Sequence, residues 1–210
     1  MPVIADESTG GTVVILAHGA GSHMEHKTIE WLSSIVREAG ASVARFNFLY
    51  KALGKGVPDR PPTCIATYRA VIDSVRERMS PDRLIIGGHS FGGRMASMLE
   101  AEGKTADGLI LFGYPLHPPG QLDKLRDAHL PNIKTPTLQM NGTEDEFCNR
   151  EQMDQVLARL DPNIWHLKWI EGADHSYSVK KSSGRTKKDA EIEIGLAVKG
   201  FLEMVGKSPR

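Results

Sequence analysis

The chain has 210 residues, of which 40% are hydrophobic, and its 26 basic and 26 acidic side chains give a formal net charge of zero. This balance argues against nucleic-acid and anionic-membrane partners, because no global positive field would attract them. No apolar stretch approaches the length of a membrane span, and the N-terminus, MPVIADESTG, lacks the basic and apolar regions of a signal peptide. We therefore expect one α/β domain of residues 1–210, with its core at about 12–205, in the cytoplasm; the sequence does not indicate its oligomeric state.

Six runs of apolar, often β-branched residues predict the strands of a sheet. Several are apolar without alternation, which is typical of parallel strands that are covered on both faces. The last run alternates more and is expected nearer an edge. The predicted strands are 12–17, 41–48, 83–87, 108–113, 135–140 and 164–170.

Apolar residues at helical spacing predict five helices between and after these runs. Two of these patterns end at Gly40 and Gly103, and two others end before Pro81 and Pro162. Strands that alternate with helices predict βαβ units with right-handed crossovers. The predicted fold class is therefore α/β, a three-layer α/β/α sandwich with a mostly parallel sheet. The apolar helical positions span 29–39, 65–79, 95–99, 153–160 and 190–205.

The segment NFLYKALGKGVPDRPPT, residues 47–63, fits neither the helical nor the strand period. It contains glycines and three prolines, and it is long for a connection between a strand and a helix. We expect it to be either a functional cover or a mobile segment.

The stretch LIIGGHSFGGRMAS, residues 84–97, carries one serine from an apolar strand into a helix. Residues 88–92 match G-x-S-x-G, the pattern of a nucleophile elbow. In so sharp a turn, side chains at Gly88 and Gly92 would collide with neighbouring backbone, and the strain lifts the Ser90 hydroxyl towards a substrate. The alternative is that the glycines only permit tight packing of the strand against the helix. We favour a nucleophile, because ligands bind at the carboxyl ends of parallel strands and Ser90 lies at such an end.

A serine nucleophile needs a base, and the base needs a group that orients it. In a sheet with such an elbow, the acid and then the histidine follow at later strand ends. One later strand runs into NGTEDEF, which offers Glu144, Asp145 and Glu146, and the next runs into EGADHSY, which offers His175. We choose His175 as the base and Asp145 as the acid, because the first acidic residue can still lie in the turn.

An oxyanion intermediate needs backbone N–H donors. One is expected from Phe91, the residue after the nucleophile, and the other from HGAG, residues 18–21, after the strand 12–17. Ala20 is the preferred second donor, with Gly21 close behind. His18 is expected to be a structural loop residue rather than a second base.

The segments AHGAG, GGHSFGGRMAS, NGTEDEF and GADHSY together resemble α/β-hydrolases. More narrowly, they resemble dienelactone-hydrolase-like proteins and the KANL3/Tex30-type hydrolase-like domain. The resemblance covers about Thr12 to Val205, and the GGRMAS run is its most specific part. It implies a catalytic triad of Ser90, Asp145 and His175. It also implies an oxyanion hole formed by Ala20 and Phe91.

The chain departs from these relatives at the elbow, the acid loop and the segment 47–63. Dienelactone hydrolases proper have a cysteine at the elbow, where this chain has Ser90. Relatives often have Arg-Asp-Pro-Phe around the acid, where this chain has EDEF at 144–147, and proline where it has Leu49. These differences bear on the choice of substrate more than on the triad.

The sequence favours neither a metal ion nor an organic cofactor. Cys64 and Cys148 lie far apart without metal-like spacing, and reduced thiols are their expected state. His23, Glu25 and His26 crowd together, but polar residues near a helix start account for them better than a metal site.

Further residues are candidates for substrate binding. The basic segment VKKSSGRTKK, residues 179–188, closely follows the predicted base. It is either a solvated loop or a segment in which Lys180, Lys181 or Arg185 contacts an anionic group of the substrate, and Arg185 is the candidate we carry forward. The other candidates come from the loop before the first helix and from the segment 47–63. They are Gly21, Met24, His26 and Tyr50.

These features predict a small serine hydrolase with a fairly open cleft and no large lid domain. Its substrate would be a small-molecule carboxylic ester or thioester, cleaved through an acyl-enzyme. The alternative is a catalytically idle α/β-hydrolase-like module that binds other proteins. An intact Ser-Asp-His set argues against that alternative, because a scaffold has no physical need for a strained serine.

Overall fold

The computed structural model describes residues 3–5 and 11–207. Within these ranges the chain forms one seven-stranded sheet and six α-helices, with short 3-10 helices at Leu130–Asn132 and Lys181–Ser183. The strands are β1 (Val3–Ala5), β2 (Thr12–Ala17), β3 (Ser42–Phe46), β4 (Arg83–His89), β5 (Gly108–Phe112), β6 (Thr137–Gly142) and β7 (Trp165–Ile170). The helices are α1 (Lys27–Glu38), α2 (Leu49–Ala52), α3 (Pro61–Met79), α4 (Phe91–Ala101), α5 (Arg150–Leu157) and α6 (Lys187–Lys207).

The strands lie side by side in the order β1-β3-β2-β4-β5-β6-β7. β1 runs antiparallel to β3 at one edge of the sheet, and the other neighbouring pairs are parallel. In the centre, Ile15 of β2 lies between Ala44 of β3 and Ile86 of β4. Because parallel strands end at the same edge, the loops that follow β2, β4, β6 and β7 meet there.

Helices cover both faces of the sheet, because the central strands are apolar on both sides. On one face, α1 and α6 belong to one apolar cluster, which includes Val14 and Leu16 of β2. On the other face, α3, α4 and α5 belong to a second apolar cluster, which includes Val13 and Ile15 of the same strand. This division confirms the predicted three-layer α/β/α sandwich. Among residues 3–5 and 11–207, no helix combines the length and apolarity that crossing a membrane requires.

The six predicted strands are all present, and the run expected near an edge is the edge strand β7. The bounds of β6 differ from the prediction at both ends. It begins at Thr137 because Pro136 has no N–H to donate to the ladder. It continues to Gly142 through Asn141, a polar residue that the prediction assigned to a turn.

Two elements escape the sequence pattern, and one helix is shorter than expected. β1 and α2 have three and four residues, which is too few to display a period. The prediction that α5 continues to Leu160 is wrong, because the helix ends at Leu157 and the chain turns before Pro162.

The segment 47–63 is more regular than expected, because it contains α2 and the start of α3. The rings of Phe48 and Tyr50 are fully buried and stack with centroids 6.2 Å apart. Both rings also contact Phe91 edge-on, so the start of this segment packs against the elbow.

Candidate active site

Ser90 occupies a strained turn between β4 and α4, with φ 53° and ψ −119°. A positive φ is disfavoured for a residue that has a Cβ, so the surrounding structure must impose it. The turn is tight because the flanking backbones approach closely. A Cβ at Gly88 would lie 2.4 Å from the carbonyl oxygen of Ala17, and a Cβ at Gly92 would lie equally close to the same oxygen. The predicted need for glycine at both positions therefore follows from the observed backbone.

The structure brings Ser90, His175 and Asp145 into one hydrogen-bonded chain. Nε2 of His175 lies 2.8 Å from Oγ of Ser90. Nδ1 of the same ring lies 2.9 Å and 3.0 Å from the two carboxylate oxygens of Asp145. The imidazole therefore bridges hydroxyl and carboxylate, which is the geometry of a nucleophile, a base and an orienting acid.

The carboxylate of Asp145 is fully buried and accepts two further hydrogen bonds. Nδ2 of Asn141 donates to Oδ2 at 2.9 Å, and the N–H of Phe147 donates to Oδ1 at 2.9 Å. These donors hold the carboxylate beside Nδ1 of the imidazole. Its acidic neighbours are exposed, and Glu144 lies 3.8 Å from Nζ of Lys180.

The loop that carries His175 is anchored by a second histidine, His89, which directly precedes Ser90 in the elbow. Nε2 of His89 lies 2.9 Å from the carbonyl oxygen of His175. Burial, together with the nearby His175, lowers the pKa of His89 to about 4. The His89 ring is therefore neutral at pH 7, and its Nε2–H donates to that carbonyl. Phe147 lies against the other side of the base, with ring centroids 4.2 Å apart.

The two predicted oxyanion donors lie beside Ser90 in the same cleft. Within the described part of the chain, the N–H groups of Ala20 and Phe91 donate to no protein acceptor. The loop of Ala20 is held from behind, because the Tyr50 hydroxyl donates to its carbonyl oxygen at 2.8 Å. His18 is fully buried and supports the same loop through a 2.7 Å contact between its Nδ1 and the carbonyl oxygen of Gly19.

The cleft around Ser90 has a volume of about 420 Å³ and opens to solvent. The predicted substrate residues Gly21 and His26 contribute to its wall, and His26 also caps α1 by accepting from the N–H of Thr28. No residue of the segment 47–63 contributes to it. The complete lining is Gly19, Ala20, Gly21, Ser22, His26, Thr28, His89, Ser90, Phe91, Arg94, Pro115, Arg126, Phe147, His175 and Ser176.

Three predicted substrate residues lie outside this wall. Met24 is buried, and its backbone is held by Asn47 and Arg45. Tyr50 is buried behind the loop of Ala20. Arg185 is paired with Glu193, with Nη2 and Oε1 2.9 Å apart. None of the three therefore lines the cleft around Ser90, and Tyr50 supports the loop of Ala20 from behind.

Several residues that the prediction did not name complete the site. Asn141 and His89 position the acid and the base, and Arg94 and Arg126 line the cleft. Arg94 had a signal in the sequence, because it follows Ser90 by four residues on the expected helix and so lies on the same helical face. Arg126 lies between β5 and β6 and had none.

The structure offers no ready metal site in the region that the sequence singled out. His26 caps α1, and Nδ1 of His23 accepts from the N–H of Glu25 at 3.3 Å. Within residues 3–5 and 11–207, no three His, Cys, Asp or Glu side chains are gathered as metal ligands would be.

Several solved structures share the fold of this chain. A serine hydrolase without a lid from Xanthomonas campestris is 21% identical, with a TM-score of 0.74 over 99% of this chain and 90% of that chain. An alpha-beta serine hydrolase homologue from Coxiella burnetii is 22% identical, with a TM-score of 0.72 over 94% and 90%. A dienelactone hydrolase from Anabaena variabilis is 17% identical, with a TM-score of 0.70 over 96% and 89%. At these identities the likeness shows the fold alone.

The family comparison shows the family as well as the fold, because the model of one family matches well over half of the chain. The model of the family described as alpha/beta hydrolase domain matches residues 10–203. That range includes every strand from β2 to β7 and the loops that carry Ser90, Asp145 and His175. The chain therefore belongs to the α/β-hydrolase domain family.

Proposed function

We propose that the protein is a serine hydrolase that cleaves a carboxylic ester or thioester through an acyl-enzyme. The observation that carries the proposal is the position of the His175 imidazole, 2.8 Å from the hydroxyl of Ser90 and 2.9 Å from the carboxylate of Asp145. A hydrolase of this fold needs that chain of contacts, and a protein that only binds partners has no use for it.

In the proposed acylation step, Oγ of Ser90 bonds to the carbonyl carbon of the substrate while its proton passes to Nε2 of His175. Asp145 keeps the other nitrogen of the ring protonated and stabilises the imidazolium that forms. When the tetrahedral intermediate collapses, the bond to the leaving group breaks, and His175 gives its proton to that group. Water then repeats the sequence on the acyl-enzyme, which releases the acid and restores the Ser90 hydroxyl.

The negative charge of the tetrahedral intermediate would be stabilised by backbone donors. The N–H groups of Ala20 and Phe91 face no competing protein acceptor within the described residues, so they are free to bind an oxyanion. Phe91 is also the first residue of α4, whose positive dipole end lies at this position. Preorganised donors of this kind contribute on the order of 3 kcal/mol each to transition-state stabilisation.

Covalent labelling with a fluorophosphonate probe tests the assignment directly. We expect one adduct, at Ser90, and none in the folded Ser90→Ala variant, because only an activated serine displaces the fluoride at a useful rate. Ser176→Ala is the matched control, since Ser176 also lines the cleft but contacts neither the base nor the acid. Hydrolysis of 4-nitrophenyl pentanoate should follow the same pattern.

The outcome also decides between the two functions considered from the sequence. An unlabelled Ser90 in a folded protein, together with no ester hydrolysis, would contradict the proposal. The catalytically idle interaction module would then account better for the fold. Labelling that persists in Ser90→Ala would place the nucleophile elsewhere and refute the proposed mechanism.

A further inference from the structure

Two arginines, Arg94 and Arg126, give the cleft a positive wall. Both line it together with Ser90 and His175, and no aspartate or glutamate does so. The carboxylate of Asp145 lies behind the imidazole and is fully occupied by its own donors. Among the described residues, the wall of the cleft itself therefore carries guanidinium groups and no exposed carboxylate, whereas Glu144, Glu146 and Asp174 line an adjoining pocket beyond His175.

Neither arginine forms an ion pair within the part of the chain that the structure describes. Asp127, the acidic residue next in sequence to Arg126, is paired with Arg159 instead. Nε of Arg94 is buried and has no hydrogen-bond partner among the described residues. Within residues 3–5 and 11–207, the guanidinium of Arg126 forms one hydrogen bond, a long one of 3.4 Å from Nη1 to the carbonyl oxygen of Pro115. Their donors are thus largely unused by the protein itself.

The two charges are unfavourable neighbours when the cleft is empty. Burial, and after it the charge of Arg94, lowers the pKa of Arg126. Burial and the same arginine lower the pKa of His129 to about 4, so that neighbouring ring is neutral at pH 7 and adds no further positive charge. Like charges held close together without a counter-charge destabilise the fold. An anion bound between them would relieve this repulsion and satisfy the unused donors.

The backbone at both positions is held by hydrogen bonds, which fix where the two side chains begin. Arg94 lies in the first turn of α4, and its N–H donates to the carbonyl oxygen of Ser90 at 3.0 Å. At Arg126, the N–H donates to the carbonyl oxygen of Leu116 at 2.8 Å, and the carbonyl oxygen accepts from the Tyr114 hydroxyl at 2.6 Å. Four helical residues advance about 6 Å, which places Arg94 one turn from the nucleophile and on the same face.

We propose that Arg94 and Arg126 form an anion subsite, and that the substrate is an ester or thioester that carries a carboxylate or phosphate group near its scissile carbonyl. The assignment of the anion to a substrate rests on the proposed function. Guanidinium groups match planar carboxylates and phosphates with paired donors, and they keep their charge at any physiological pH. The subsite replaces the contact that the sequence suggested for Arg185, whose guanidinium is engaged by Glu193.

The first experiment measures anion binding without catalysis. In the folded Ser90→Ala protein, glutarate or inorganic phosphate should raise Tm to a saturating value. The shift should be lost in Ser90→Ala combined with Arg94→Gln or with Arg126→Gln. Arg69→Gln is the matched control, because it removes an exposed arginine that is paired with Glu102 outside the cleft. A larger shift with phosphate would identify a phosphorylated substrate, and a larger shift with glutarate a carboxylated one.

The second experiment measures selectivity with the otherwise native enzyme. The mono-4-nitrophenyl ester of glutaric acid and 4-nitrophenyl pentanoate differ only in the terminal carboxylate. We expect the ratio of their kcat/KM values to fall about tenfold or more in Arg94→Gln and in Arg126→Gln, because each loses a charge-assisted hydrogen bond. Arg69→Gln and Arg185→Gln should leave the ratio unchanged.

The subsite is overturned if neither anion stabilises the Ser90→Ala protein, or if stabilisation and selectivity both survive the two cleft-arginine substitutions. This failure is distinguishable from failure of the proposed function. Labelling of Ser90 and cleavage of the neutral ester would persist if only the subsite were wrong. Anion binding that depends on Arg94, in a protein that neither labels nor cleaves esters, would keep the subsite and remove the hydrolase.

Discussion

His18 should make the protein lose stability in mild acid. Its ring is fully buried, and its two nitrogens have different partners. Nε2 lies 3.2 Å from the N–H of Phe48 and must accept, whereas Nδ1 lies 2.7 Å from the carbonyl oxygen of Gly19 and must donate. A proton on Nε2 would face the N–H of Phe48 directly, so the fold accommodates only the neutral ring.

The size of the effect follows from the pKa. Burial lowers the pKa of His18 from 6.5 to about 4. Between these values the unfolded chain binds a proton that the native protein does not, so stability rises with pH and is lost as pH falls. Linkage then gives a loss of about 2 kcal/mol between pH 7.5 and pH 5 from this one ring.

Urea unfolding at the two pH values measures this loss. His89 and His129 also have pKa values lowered to about 4, so the wild type should lose more than one ring's share. The informative quantity is therefore the difference between the wild type and His18→Gln, in which the amide oxygen can accept from Phe48 at any pH. That difference should shrink by about 2 kcal/mol from pH 7.5 to pH 5.

The matched control is His23→Gln, which replaces an exposed histidine near the same loop. Its difference from the wild type should stay constant over the same pH range. If the difference for His18→Gln were also constant, the neutral, hydrogen-bonded state of His18 would be refuted, whatever the absolute stability of the variant.

Two further substitutions test the elbow and the acid. Gly92→Ala should destabilise the fold by about 2 kcal/mol or more, because its Cβ would lie 2.4 Å from the carbonyl oxygen of Ala17. The control is Gly200→Ala in α6, where no atom lies within 4 Å of the new Cβ, and we expect it to be neutral or stabilising by up to about 1 kcal/mol. Urea unfolding measures both free energies. Equal values for the two variants would contradict the steric argument. Asp145→Asn should lower kcat for ester hydrolysis by about 10³- to 10⁴-fold, because the amide can turn an N–H towards His175 and select the wrong tautomer. A loss below tenfold in steady-state kinetics would show that the carboxylate does not orient the base.

The positions of Ser90, Asp145 and His175 could be predicted because each depends on local signals. The elbow needs glycine at fixed offsets from the serine, and the acid and the histidine each directly follow an apolar strand. Parallel strands end at one edge of the sheet, so residues that are far apart in sequence meet there. This meeting point can be predicted without knowing how the side chains pack. The catalytic roles of the three residues stay a prediction until labelling is done.

The supporting residues could not be predicted, because their partners are chosen by packing rather than by period. Asn141 looked like part of a polar turn, yet it extends β6 and is fully buried because its amide reaches both Asp145 and the carbonyl oxygen of Tyr114. His89 occupies the freely variable position of the elbow pattern, and its contact with the loop of His175 spans 86 residues of sequence. Such contacts become visible only when the strands lie side by side.

The two kinds of arginine show why substrate recognition is harder to predict than chemistry. The sequence suggested Arg185 because its basic segment closely follows His175. In the structure, the guanidinium of Arg185 is paired with Glu193 of α6. Arg94 follows Ser90 by four residues, and helical geometry alone carries it to the nucleophile. Arg126 reaches the same cleft from a connection without period, held by Tyr114 and Leu116. The predicted catalytic residues at strand ends can thus be recognised from their spacing in the sequence. The positions of the arginines proposed to select a substrate depend instead on how the loops between the strands are anchored.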